Sequence, residues 1–235
     1  MSAVVLHGFH RSPYVTIAKL VLTAKGVEYL FHDTEDSMAR PGGWTLHPFD
    51  RVPVLTHGDF TIWETAAIAS YVDDAFCGPA LSPAGARERA RMNQWISAAN
   101  SYFHPWIIQH LVNERVVFPE LGIAPDEETV AAALPKIRQG LEVLERVLGS
   151  GLAFLACERP TLADYFMLPL LTPLGLADEG RAELARVPVI LTWMARMAVM
   201  PAVSTVGAGL PPRMPIEHAR RWTGQRNTRS RFTVT

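Results

Sequence analysis

Cysteine is the residue this sequence has least of: Cys77 and Cys157 are the only two among 235 residues. Far apart and without a CxxC pair, they offer neither a disulfide framework nor a dithiol redox couple, so a soluble, cytoplasmic protein is expected. An excess of charge of one sign is also missing. The 22 Lys+Arg and 23 Asp+Glu leave a formal net charge of -1, which gives no electrostatic reason to expect nucleic acid or an anionic membrane as a partner. Long apolar runs are absent too. The most apolar stretch, "YFMLPLLTPLGLA", is interrupted by Pro169 and Pro173, and "MSAVVLHGFHRSPY" lacks a basic region followed by a long apolar one, so neither a membrane span nor a signal segment is read. No GxGxxG, GxxxxGK or GxSxG occurs, which removes support for dinucleotide, P-loop and serine-hydrolase chemistry. The eight histidines are read as unclustered, His104 and His110 being six apart, which does not put both on one helix face as HExxH would, so no metal is expected.

What is present is 49% hydrophobic composition, enough for real cores. Strand and helix signals alternate over the first third. Ala3–Leu6 reads as a strand, and "SPYVTIAKLVLTAKG" as a helix with Val15, Ala18 and Leu22 on one face, closed by Lys25-Gly26. "VEYLFHD", Val52–Leu55 and "FTIW" are further strands, the last two separated by the turn-like His57-Gly58-Asp59, and a helix follows from Glu64. The pattern is β-α-β, an irregular segment "TEDSMARPGGWTLHPFD", then β-β-α, a small mixed-sheet domain over 1–77. "CGPALSPAG" marks a linker at 78–86. The strong signals over 87–206 are helical: Val130, Leu134, Ile137, Leu141, Leu144 and Leu148 recur every three or four residues. An arginine-rich tail, 207–235, reads as a solvated end or as a flap over a cleft.

Three places in the first domain bear chemistry. Ser12-Pro13 has the N-cap and N1 residues of a well-made helix start. The same geometry sets free N–H groups and the positive helix end beside a hydroxyl, where a thiolate would be held at a lowered pKa. Tyr14 is the rival donor. Pro53 cannot donate to a sheet ladder; a trans proline in an edge strand explains it, while a cis bond would leave the Val52 backbone free to pair with an extended peptide-like ligand. Glu64-Thr65 at a helix start suits the dipole, and equally suits a zwitterionic amino-acid head. On "QWISAANSYFHPWI", Trp95, Ala99, Tyr102 and Trp106 fall on one helical stripe that would make core or an apolar substrate wall, and Pro105 is expected to kink the helix. Thr161 to Asp164 has the form of a capping box, so Asp164 is assigned to folding.

Taken together, "SPYVTIAKLVLTAKGVEY", "HPFDRVPVL", "FTIWETAAIASYV", "FLACERPTLADYFMLP" and "VPVILTWMARMAVMPAV" resemble segments of the glutathione S-transferase family, in that family's order and up to about Ser204. The resemblance, to its serine-type classes, implies a thioredoxin-like domain followed by an all-α domain, usually as a homodimer, with glutathione as co-substrate. It implies that Pro53 is cis, that Val52 pairs with the cysteinyl part of glutathione, that Glu64 and Thr65 hold the γ-glutamyl end, and that Ser12 is the catalytic hydroxyl. Arg40, His47 and Arg51 are the candidates for the glycine end, where the sequence departs from the basic or amide residues of many members. Tyr14, Tyr102 and Trp106 would line the electrophile's pocket. Isomerisation, dehalogenation or peroxide reduction with the same thiol, or a non-catalytic binding protein on this fold, are the alternative outcomes.

Overall fold

The computed structural model describes residues 2–39 and 42–207. β1 (Val4–Gly8), β2 (Leu30–Asp33), β3 (Val54–His57) and β4 (Phe60–Trp63) form one sheet in the order β2-β1-β3-β4. β1 and β2 are parallel, which requires a crossover, and α1 (Pro13–Ala24) supplies it; the remaining pairs are antiparallel. The tight β3–β4 connection passes through Gly58 at φ 60°. The irregular segment contains a short helix, α2 (Glu35–Ala39), opened by the Glu35 N–H donating to Asp33 at 3.0 Å. α3 (Thr65–Ala75) follows β4.

Alternation along β1 sorts its two faces. Val4 and Leu6 join the main core with Val15, Ile17, Leu20 and Val21 of α1 and Ile68 and Val72 of α3. His7, also buried, looks the other way, toward Trp44. Gly8 ends the strand where a Cβ would stand 2.4 Å from Val15 Cγ2. Only glycine allows β1 to end so near α1, and the chain enters the helix at Ser12 from that contact.

Besides β1, which runs on to Gly8, and β2, which starts only at Leu30 within "VEYLFHD", two boundaries near the site differ from the sequence reading. The apolar run Val52–Leu55 is divided, because β3 begins at Val54 and leaves Val52 and Pro53 ahead of the ladder. A residue without an N–H has no place inside a paired strand, so the ladder starts after it. The second difference lies in the helical half. α4 (Ala86–Ala98) continues into a wide helix, Ala99–Val117, with i→i+5 bonding seen where the Phe118 N–H donates to the Asn113 carbonyl, and ends in α5 (Phe118–Glu120). Pro105 lies inside this wide helix, which is continuous through it. Each residue of an i→i+5 turn advances less than the roughly 100° of an α-helix, so the stripe from Trp95 and Ala99 is continued by Phe103, Ile107 and Leu111, all buried, and Tyr102 swings out.

α6 (Glu127–Leu148) is capped by Asp126, whose carboxylate accepts from the N–H groups of Glu128 and Thr129 at 3.0 and 3.1 Å. Its apolar face is buried as the periodicity requires, apart from half-buried Leu134. Gly140 lets α6 approach the wide helix: a Cβ there would lie 3.2 Å from the Phe103 ring. α7 (Leu162–Leu171) is buried on every side; a short 3₁₀ stretch (Thr172–Leu176), α8 (Asp178–Ala185), α9 (Pro188–Ala198) and α10 (Pro201–Val206) complete the described residues. Among these no helix is long and apolar enough to cross a membrane.

Two buried carboxylates fasten the parts together. Asp164 accepts four hydrogen bonds: from the Thr161 N–H and hydroxyl, both at 2.9 Å, and from the Leu155 N–H and Trp193 Nε1–H, both at 3.0 Å. Burial pushes its carboxyl upward and these donors oppose the push; the folding role expected of it is the one seen. Asp73 accepts from the N–H groups of Leu81 and Ser82 at 2.8 and 2.7 Å and from Lys25 Nζ at 3.1 Å, tying the segment between α3 and α4 to both α1 and α3.

Candidate active site

Ser12 is the N-cap of α1: its backbone is extended, Pro13 takes N1, and its buried Oγ accepts from the Val15 N–H at 3.3 Å. An oxygen that accepts keeps its own proton for donation, so capping and outward donation coexist at this atom. The hydroxyl therefore sits at the positive end of a twelve-residue helix.

The sheet register brings the other candidates to the same place. His7 of β1 is opposite Val54 of β3, and Val54 is opposite Trp63 of β4. One step beyond this row the chain leads from Gly8 toward Ser12, back from Val54 into Pro53 and Val52, and from Trp63 into Glu64 and Thr65. The Val52-Pro53 bond is cis, as the resemblance implied. Val52 is half-buried and precedes the ladder.

Glu64 has φ 69°, a sparsely populated conformation for a residue with a side chain. It precedes α3 without capping it, and its side chain is 64% exposed. Thr65 beside it is buried. His47, one of the two buried side chains in the exposed 42–51 stretch, accepts the Phe49 N–H at its Nδ1 (3.0 Å). The ring proton is then on Nε2, which lies 3.9 Å from the Glu64 carboxylate. Burial lowers the His47 pKa, with Glu64 acting in the opposite sense, so an N–H donor and a carboxylate stand side by side.

Tyr14 is half-buried and its phenol is pushed up to about 12, first by burial and then by the negative charge of Glu64. It stays protonated at neutral pH and stacks on His104 of the wide helix with centroids 4.6 Å apart. Tyr102 and Trp106 form a second stacked pair at 5.4 Å, Tyr102 being 53% exposed. The aromatic stripe drawn from the sequence is thus corrected: Trp95 packs with Phe103 in the core, while Tyr102 is at the surface.

Arg51 is exposed, and its carbonyl accepts the Trp44 Nε1–H at 3.1 Å. Arg40 and the arginine-rich stretch from residue 208 onward lie outside the described residues. Sequence reasoning did not single out Trp44 and weighed His104 only as a metal ligand. Each acts on a residue distant in sequence or hidden within a loop, and neither leaves a periodic signal.

Comparison with known proteins bears on the family and the fold. Residues 6–80 match the model "Glutathione S-transferase, N-terminal domain" and residues 127–196 match "Glutathione S-transferase, C-terminal domain". The chain is 30% identical over 218 residues to Glutathione S-transferase 3 of Zea mays, covering 90% of this chain and 96% of that protein. The solved structure of glutathione S-transferase III in apo form superposes with a TM-score of 0.80 at 27% identity, over 91% of this chain and 100% of that one. The structure of glutathione S-transferase-I bound with lactoylglutathione gives 0.78 at 24% identity, over 88% and 99%, which speaks for the fold. With sheet order, helical half, both domain models and end-to-end similarity in agreement, the chain belongs to the glutathione S-transferase family.

Proposed function

We propose that this protein is a glutathione transferase in which Ser12 donates a hydrogen bond to the thiolate of bound glutathione, and the thiolate attacks an electrophilic, largely apolar small molecule. The observation that carries the reading is the buried Ser12 hydroxyl at the N-terminus of α1. Helix dipole and donated proton both favour the anionic sulfur and lower its pKa toward neutrality. No covalent step on the protein is needed; the sulfur–carbon bond forms as the electrophile's leaving group or π-bond takes the electron pair.

The tripeptide would extend along the row of segment ends. Val52 pairs its backbone with the cysteinyl residue, with Pro53 shaping the turn. Glu64 accepts from the γ-glutamyl ammonium while the Thr65 hydroxyl and N–H donate to its carboxylate, and Arg51 with Arg40 serves the glycine carboxylate. Tyr14, Tyr102 and Trp106 supply the wall for the electrophile. The domains run over 1–77 and 87–206 with 78–86 as linker, and the protein acts as a cytoplasmic homodimer. A serine at position 12 cannot form a mixed disulfide, which disfavours thiol–disulfide reduction. Calorimetric titration with glutathione and steady-state conjugation of an activated aryl chloride test the proposal: saturable binding with turnover is expected, and no heat at millimolar glutathione would sink it.

A further inference from the structure

The stretch 42–51 is exposed except at two rings, Trp44 and His47. His47 looks toward Glu64. Trp44 instead lies on the face of the sheet away from α1, over His7 with centroids 6.2 Å apart. His7 is itself fixed, its Nδ1 sharing a hydrogen bond with His32 Nδ1 at 2.9 Å and its Nε2 another with Thr56 Oγ1 at 3.1 Å. The seat under the indole is thus a row of three strands' side chains joined by hydrogen bonds, the kind of support that holds a ring in one orientation.

From this seat Trp44 reaches back to its own loop: Nε1–H donates to the carbonyl of Arg51 at 3.1 Å. That carbonyl belongs to the peptide whose N–H is Val52's, so its direction sets the direction in which the Val52 N–H points. Val52 stands ahead of the β3 ladder and is not oriented by strand pairing. We propose that Trp44 is a positioning residue for glutathione recognition, locking the Arg51–Val52 peptide from behind the sheet so that the Val52 backbone is presented to the tripeptide. The inference rests on the glutathione reading of the site.

Replacing Trp44 by Phe keeps an aromatic ring in the seat and deletes the donor; the sulfur isostere benzothienylalanine at position 44 keeps the full bicyclic shape and deletes only the N–H. One lost orienting hydrogen bond corresponds to about a five-fold change. Both variants should raise KM for glutathione and its calorimetric Kd by about that factor, leaving kcat and KM for the electrophile within twofold. A mere packing defect would lower the melting temperature without this split. If wild type binds glutathione and either folded variant binds it equally well, the role of Trp44 is refuted while the glutathione reading stands. If wild type itself fails to bind, the functional reading fails first, and this inference with it.

Discussion

Ser12→Ala is the perturbation whose consequences can be worked furthest, because one oxygen caps α1 and is proposed to donate to the thiolate, and the two roles differ in magnitude. As an N-cap, its loss costs about 1 kcal/mol of stability, which in a chain of this length lowers the melting temperature by roughly 2–4 °C. As a donor to a thiolate, a hydrogen bond to a charged group is worth about 1.5–3 kcal/mol, so kcat/KM at neutral pH should fall by roughly 10- to 150-fold, and the thiol pKa of bound glutathione should rise by about 1–2 units. Ser12→Gly separates the roles, since glycine at an N-cap costs only a few tenths of a kcal/mol yet brings no hydroxyl. Its melting temperature should stay near wild type while its activity falls as far as alanine's. The assays are thermal melts, the pH profile of kcat/KM, and ultraviolet absorbance of the enzyme-bound thiolate. Conjugation that stays within twofold in both variants, with only the alanine variant less stable, would show that Ser12 is a helix cap and nothing more.

Asp164→Ala strands the Leu155 and Thr161 N–H groups and the Trp193 indole N–H and should cost roughly 3–5 kcal/mol, read as a melting temperature about 10 °C lower or more, with KM for glutathione unchanged in the protein that remains folded. Tyr14 should titrate near 12 by difference absorbance, a signal absent from Tyr14→Phe; because its folded pKa is raised, it contributes stability present below the ordinary phenol value near 10 and lost between there and 12. Burial alone would push the Asp73 carboxyl up, but the Leu81, Ser82 and Lys25 donors hold it below its ordinary value, so its contribution is present above about pH 4 and lost as pH falls through the folded pKa. Lys25→Met should cost roughly 3 kcal/mol by leaving that carboxylate without its cation, and the urea midpoint should recover in part when Asp73→Asn is added.

Much of the architecture was legible in one dimension because it rests on periodicity. The α6 face and the order of strands and helices around Gly58 follow from it, and the Thr161–Asp164 pair announced its helix start. The boundaries that moved did so for reasons periodicity does not carry. An apolar run such as Val52–Leu55 does not reveal that its ladder begins only after the residue lacking an N–H. Likewise, the apolar spacing of 95–117 does not say whether carbonyls bond four or five residues ahead, and that choice exchanges Tyr102 for Phe103 in the core. At the site, Ser12, Val52, Pro53, Glu64 and Thr65 stand at the ends of segments whose punctuation is visible in sequence. Trp44 sits in what reads as an irregular loop, and its hydrogen bond to Arg51 exists only because the loop folds back over His7.

The row His7–Val54–Trp63 has a consequence for how such a protein can change. Since three segments leave the sheet from one line of paired residues, sliding β3 by one position would turn each of its side chains to the opposite face; Leu55 would leave the core in the same step that displaced Val52. Misalignment is therefore penalised by lost burial before it is penalised by lost binding. In the proposed reading, the peptide-holding half of the cleft inherits its accuracy from the sheet, whereas Tyr102 and Trp106, proposed for the electrophile's wall, stand on a helix outside that sheet and are not bound by its register.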